Sequence, residues 1–93
     1  MRSVQLIEAG VIEVRDIAVP DASGLALVRM QTVGVCGTDS SIIAGKIPVS
    51  LPRTMGHEGV GIVEQAGPLG AVAVGQRVLI DPGISCELCD LCR

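Results

Sequence analysis

The chain has 93 residues and a net charge of −3, and its composition is 48% hydrophobic and 18% charged. These values are typical of one small globular domain and exclude a disordered chain. The basic residues are scattered, which excludes a nucleic-acid-binding surface, and no apolar stretch approaches the roughly 20 residues that cross a membrane.

The first half of the chain predicts short strands and one helix. The predicted strands lie at residues 2–7, 11–15 and 25–35. After a glycine-flanked break, Thr38 or Asp39 is expected to cap a short helix over residues 40–44, which Gly45 ends.

The second half predicts further strands separated by loops. Residues 46–56 contain two prolines and predict a loop, and strands follow at 59–65 and within 74–80. Five or six short strands with one helix and many turns are typical of an all-β barrel. We expect residues 1–93 to belong to a single domain.

Cys36, His57 and Glu58 form the first group of candidate metal ligands. Zinc accepts thiolate, imidazole and carboxylate ligands, and a catalytic zinc site keeps one position open. Cys36 lies in a glycine-flanked turn after a predicted strand, so its sulfur can stand clear of the backbone. Taken singly, such a cysteine is usually part of a core and a loop histidine is usually a surface group. The pairing therefore depends on the motifs around it.

Cys86, Cys89 and Cys92 form the second group, a C-x2-C-x2-C run. The N-terminus has no signal-peptide pattern, so we expect a cytoplasmic protein, where close-set cysteines bind metal more often than they form disulfides. Zinc with four thiolates fits the run, and so does the opening of an iron–sulfur ferredoxin pattern. Three free or oxidised thiols are the remaining alternative.

Four motifs in this order give the chain a resemblance to a known family. They are Gly34-Val-Cys-Gly-Thr-Asp39, Gly56-His-Glu-Gly-Val-Gly61, Val74-Gly-Gln-Arg-Val78 and the closing cysteine triplet. Together they resemble the zinc-dependent medium-chain alcohol and polyol dehydrogenases, especially the threonine and sorbitol dehydrogenase branch. The resemblance implies a mainly β fold: a partial GroES-like β-barrel with one short helix and a cysteine-rich metal lobe at the C-terminus.

The resemblance also implies roles for individual residues. Cys36 and His57 would be ligands of a catalytic zinc, and Glu58 would be a ligand or a near neighbour of the metal. Thr38 would carry the hydroxyl that takes the substrate proton, and Asp39 would orient His57. The cysteine triplet would hold a structural zinc.

These roles imply an oxidoreductase that transfers hydride from a small alcohol or polyol to NAD or NADP. Zinc would lower the pKa of the alcohol hydroxyl as a Lewis acid, and Thr38 would relay the released proton. We expect the parent protein to be a homo-oligomer, either a dimer or a tetramer, with no nucleic-acid or membrane partner.

Departures from the family pattern limit what the chain is expected to do alone. Ser40 and Ser41 stand where many members carry a histidine that ends the proton relay. The strand-to-helix Gly-x-Gly-x-x-Gly turn of a dinucleotide site is also missing. We therefore expect residues 1–93 to be the N-terminal portion of a catalytic domain, inactive by itself. The alternatives are a non-catalytic zinc-binding or scaffold module and an iron–sulfur electron carrier.

Overall fold

A computed structural model of the protein describes residues 1–92, which contain six β-strands and one α-helix. In chain order the elements are β1 (Arg2–Glu8), β2 (Val11–Asp16), β3 (Leu27–Gly34), α1 (Gly37–Ile43), β4 (Arg53–Thr54), β5 (Glu58–Gln65) and β6 (Arg77–Leu79). Within this part of the chain, no helix has the length and apolar character needed to cross a bilayer.

The strands form two antiparallel sheets of three strands each. One sheet has the order β2-β1-β4 and begins with the β1–β2 hairpin, which turns at Gly10. The other has the order β3-β5-β6, with β5 paired on both sides. This arrangement confirms the predicted mainly β fold with one short helix.

The two sheets do not close on each other, and residues of both line an open cavity of about 810 Å³. Val4 of β1 and Met30 of β3 line this cavity and remain 45% and 43% exposed. The buried apolar core of the described residues is correspondingly small and consists of Leu6, Ile42 and Val63. The sheets therefore form a barrel that is only partly assembled.

The central strand β5 carries glycine where β3 approaches it most closely. A Cβ atom at Gly61 would lie 2.6 Å from the carbonyl oxygen of Arg29 and 2.6 Å from a methyl group of Val28. Because one of those atoms belongs to the backbone, a larger residue would force the two strands apart. Glycine at this position thus sets the spacing of the second sheet.

Two local predictions are wrong. The helix begins at Gly37, not at residue 40, and its N-cap is Cys36 instead of Thr38 or Asp39. The cap lies earlier because the Asp39 carboxylate accepts a hydrogen bond from the Cys36 backbone N–H at 3.0 Å. The predicted loop at 46–56 contains the short strand β4, which exists because β1 offers it a pairing edge.

Candidate metal sites

The register between β3 and β5 brings Cys36 and His57 together. Gly34, the last residue of β3, pairs with Glu58, the first residue of β5. Cys36 follows β3 and His57 precedes β5, so both residues leave the same end of this antiparallel pair. The ligand atoms of Cys36, His57 and Glu58 all lie within 4.8 Å of one another.

The imidazole ring of His57 has two differently occupied sides. Its Nε2 atom lies 3.1 Å from the Cys36 sulfur and 4.0 Å from a carboxylate oxygen of Glu58. The His57 side chain is 30% exposed, whereas the Glu58 side chain is 54% exposed. Nε2 is therefore the nitrogen that faces the other two candidate ligands, on a side that solvent can reach.

Asp39 occupies the other side of the His57 ring. Its carboxylate is buried, with Oδ2 accepting the Cys36 N–H and Oδ1 lying 3.5 Å from His57 Nδ1. Within residues 1–92, Oδ1 has no hydrogen-bond partner. Since an unsatisfied buried oxygen costs free energy, this arrangement favours a proton on Nδ1 and a free lone pair on Nε2.

Zinc fits the residues present at this site. Tetrahedral coordination at ordinary zinc–sulfur and zinc–nitrogen lengths would hold the two ligand atoms about 3.5 Å apart. The observed separation between Cys36 and His57 is 3.1 Å, so small side-chain shifts suffice. A metal on Nε2 requires a protonated Nδ1, and the unpartnered oxygen of Asp39 is placed to accept that proton's hydrogen bond.

Thr38 belongs to the same region of the fold without joining the ligand cluster. It is exposed in the first helical turn, between Cys36 and Asp39. Of the residues singled out around the first cluster, the structure therefore gathers Cys36, His57, Glu58 and Asp39. Thr38 lies between Cys36 and Asp39 in the chain, in the first turn of α1.

The backbone enters this cluster through Gly56. This residue has a φ of 100°, a region that residues with a Cβ rarely adopt, and a Cβ here would lie 2.7 Å from Val33 Cγ1. Both the dihedral angle and the close contact require glycine. Gly56 thereby directs the following residue, His57, toward Cys36.

The second candidate site is a local loop at the C-terminal end of the described residues. The sulfur atoms of Cys86, Cys89 and Cys92 lie within 4.8 Å of one another, and those of Cys86 and Cys92 are 3.6 Å apart. Tetrahedral zinc–thiolate geometry would separate two sulfur atoms by about 3.8 Å. All three cysteines are exposed, so the loop offers a ligand set that a metal can reach from solvent.

The loop also stabilises one thiolate in the absence of a metal. Hydrogen bonds from the backbone of Leu88 and then of Cys89 lower the pKa of the Cys86 thiol to about 6, and the thiols of Cys89 and Cys92 contribute in the same direction. Because metals bind thiolates and not thiols, this environment favours metal binding at neutral pH.

A polar cluster beside the first site was missed by the sequence reasoning. Gln5 is buried, and its Nε2 donates to Ser3 Oγ at 2.8 Å and to Thr54 Oγ1 at 2.6 Å. Alternation along β1 offers no signal for this, because Gln5 reads as the solvent-facing partner of Val4. The only indication is general: a polar residue on a strand face that becomes buried needs a hydrogen-bond partner.

Comparisons with known proteins identify the family to which the fold belongs. Residues 22–93 match the family described as the alcohol dehydrogenase GroES-like domain. The sorbitol dehydrogenase of Arabidopsis thaliana is 42% identical over 71 residues, which cover 71% of this chain and 20% of that protein. The chain thus spans about a fifth of the length of the curated relatives it matches.

Solved structures show the same likeness. An NAD-dependent alcohol dehydrogenase superposes with a TM-score of 0.87 at 33% identity, over 99% of this chain and 29% of that one. The zinc-dependent alcohol dehydrogenase 2 of Streptococcus pneumonia gives a TM-score of 0.78 at 33% identity, over 99% of this chain and 28% of that one.

Proposed function

We propose that this chain, which belongs to the alcohol dehydrogenase GroES-like domain family, is the N-terminal portion of the catalytic domain of a zinc-dependent alcohol or polyol dehydrogenase. The observation that carries the proposal is the convergence of Cys36, His57 and Glu58, with the unpartnered Asp39 oxygen behind the imidazole. Neither residue composition nor fold alone would support a zinc enzyme. A thiolate, an imidazole and a carboxylate whose ligand atoms lie within 4.8 Å of one another do support a zinc enzyme.

The chain's own residues divide the work at this site. Cys36 and His57 would hold the metal through Sγ and Nε2, and Glu58 would be a ligand or a near neighbour. Asp39 would keep the proton on His57 Nδ1, and its second oxygen accepts the Cys36 backbone N–H. When bound, zinc supplies Lewis acidity that favours loss of the hydroxyl proton from an alcohol near neutral pH.

Proton removal is assigned to the hydroxyl of Thr38. This residue lies in the first turn of α1, between a ligand and the residue that orients His57, and it is exposed to an incoming substrate. Ser40 and Ser41 follow on the same helix and provide further hydroxyl groups where many family members have a histidine.

The second cluster has a structural role in this proposal. Cys86, Cys89 and Cys92 would supply three thiolate ligands to a structural zinc ion. Such a metal would stabilise an exposed loop that lacks any packed apolar side chain of its own, since Leu88 and Leu91 are 77% and 98% exposed.

The hydride acceptor in the full-length enzyme is NAD or NADP. Support comes from the NAD-dependent neighbour and from an Escherichia coli neighbour whose structure holds NADH. The substrate is a small alcohol or polyol, as the sorbitol dehydrogenase relative suggests. We propose a cytoplasmic homo-oligomer, a dimer or tetramer, that acts without nucleic-acid or membrane partners.

Metal analysis of the full-length protein tests this proposal. We expect two zinc ions per chain, with Cys36→Ser losing one zinc and all turnover of NAD with alcohols or polyols. Cys89→Ser should lose the other zinc and retain measurable turnover. Full activity in Cys36→Ser, or a single zinc in the wild-type protein, would overturn the proposed role of the first cluster.

The 93 residues alone are proposed to bind metal without catalysis. Both candidate clusters are complete enough within residues 1–92 to offer three ligand atoms each. Turnover of NAD and an alcohol by the isolated chain would contradict this second proposal. A brown protein with visible absorbance after anaerobic purification would instead indicate the iron–sulfur alternative at the cysteine run.

A further inference from the structure

His57 lies on a short segment that is attached to both sheets. The buried side-chain amide of Gln5 takes part in the attachment to the first sheet. We propose that Gln5 is a positioning residue for His57 and acts through Thr54; this inference rests on the proposed role of His57 as a zinc ligand. Within residues 1–92, the Gln5 side chain makes its hydrogen bonds to Ser3 and Thr54 and not to Cys36, His57 or Glu58. Its effect would come from fixing the start of the short segment, residues 54–57, that carries the imidazole.

The Gln5 amide is built into the first sheet. Gln5 is 6% exposed and Ser3 is 8% exposed, although both are polar. The amide nitrogen donates to the Ser3 hydroxyl on its own strand and to the Thr54 hydroxyl on β4. Of these two bonds, only the one to Thr54 joins β1 to β4, whereas the one to Ser3 stays within β1.

The strand that Gln5 holds has little else to fix it. β4 contains only Arg53 and Thr54, which pair with Leu6 and Gln5 of β1. One further backbone hydrogen bond, from the Met55 N–H to the Val4 carbonyl at 2.9 Å, continues the contact toward the site. With so few ladder bonds, the side-chain bond between Gln5 and Thr54 is a large share of the attachment.

The other end of the segment is fixed by the second sheet. Glu58 pairs with Gly34 at the start of β5, directly after His57. Residues 55–57 therefore bridge two sheets that do not close on each other. Releasing Thr54 would leave His57 anchored on one side only, so the imidazole would sample positions farther from Cys36.

Zinc titration of the full 93-residue chain provides the test, because His57 is its only histidine. The imidazole ¹⁵N resonances of a labelled sample report zinc binding at this residue alone, apart from any metal at the cysteine run. The dissociation constant at His57 is measured by competition with a chelator. The test variant is Thr54→Val, which keeps the shape of the residue and removes its hydroxyl group.

Two matched variants separate positioning from general stability. Ser3→Ala removes the other hydroxyl that the same amide contacts, on a residue that pairs with β2 and not with β4. Thr54→Ser keeps the hydroxyl group and should restore the bond. One lost hydrogen bond corresponds to about five- to tenfold in an equilibrium constant. We expect this weakening in Thr54→Val, with Ser3→Ala and Thr54→Ser within about twofold of wild type.

The outcomes distinguish this inference from the proposal it rests on. Equal weakening in Thr54→Val and Ser3→Ala, or no weakening in Thr54→Val, would overturn the positioning role. Absence of any zinc-dependent shift at His57 in the wild-type chain would overturn the zinc site itself. If the backbone spectrum shows that Thr54→Val is unfolded, Gln5→Leu takes its place, since it removes the amide without leaving it unsatisfied, and it should show the same weakening.

Discussion

Substitution of Asp39 by asparagine should weaken zinc binding at the first site while leaving the fold largely intact. Asp39→Asn preserves the shape of a residue that is 5% exposed and replaces a carboxylate by an amide. The amide oxygen can still accept the Cys36 N–H, as Oδ2 does at 3.0 Å. Its NH₂ group then faces His57 Nδ1, 3.5 Å from the present position of Oδ1.

The expected magnitude follows from the contact at Nδ1. In the zinc-bound form the Nδ1–H group would donate to the Asp39 carboxylate, and a hydrogen bond to a charged group contributes about 1 kcal/mol more than a neutral one. The NH₂ group of asparagine adds a second cost, because it stabilises the imidazole tautomer whose proton is on Nε2, the atom that faces Cys36. Taken at about 1 kcal/mol each, the two costs correspond to roughly 30-fold weaker zinc binding. Partners of metal-bound histidines commonly contribute 10–100-fold.

The stability of the metal-free chain should respond differently. The wild-type carboxylate has a buried oxygen without a partner, and neutralising that group offsets part of the lost bond to Cys36. We therefore expect the free energy of unfolding to change by less than about 1 kcal/mol.

The imidazole ¹⁵N spectrum and a chelator competition measure the tautomer and the affinity on the same sample. Asp16→Asn is the matched control, because its side chain is 86% exposed and its partner is the N-terminal amine. It should leave both measurements unchanged. Wild-type zinc affinity in Asp39→Asn, or a His57 tautomer that stays protonated on Nδ1, would refute the reasoning.

Four further substitutions or treatments have definite expected outcomes. Leu6→Ala, at a residue 1% exposed, should lower the free energy of unfolding in urea by about 2–5 kcal/mol, whereas Leu69→Ala, at a residue 92% exposed, should change it little. Gly61→Ala should lower it by about 1–3 kcal/mol, and unchanged stability would show that the β3–β5 spacing is adjustable. Cys89→Ser should remove metal from the cysteine run without altering the zinc titration at the histidine. In the metal-free chain the pKa of the Cys86 thiol is lowered to about 6, so its thiolate is present above that pH. The rate of Cys86 alkylation should therefore fall as the pH drops through 6. An alkylation rate that rises only in alkaline solution would contradict the lowered pKa.

The candidate ligands could be proposed from the sequence because the motifs around them resemble a known family, and the structure shows that their proximity results from strand pairing. Glycine-flanked motifs around Cys36 and His57 mark the ends of two strands, and the structure pairs those strands so that both residues leave the same edge. The role of Gly56 is also local, since its φ of 100° is a property of one residue. Such features can be recognised without knowledge of partners far away in the chain.

The remaining features depend on partners far away in the chain. The polar residue Gln5 is buried, whereas its apolar neighbour Val4 is 45% exposed. The reason is that Thr54, 49 residues away, supplies the hydroxyl that Gln5 contacts. Strand β4 lies within a predicted loop for the same reason. Two residues are too few to show the alternation of a strand, and they form one only through pairing with β1.

The two candidate metal sites consequently depend on the fold in different ways. The first site draws Cys36 from the residues after β3, His57 from the segment between β4 and β5, and the Asp39 carboxylate from α1. Its geometry requires the pairing of β3 with β5. The cysteine loop brings its three sulfur atoms together within seven consecutive residues, with a turn closed by the Cys92 N–H and the Cys89 carbonyl at 3.1 Å. A metal can therefore organise that loop before the sheets form, whereas metal binding at His57 has to follow the fold.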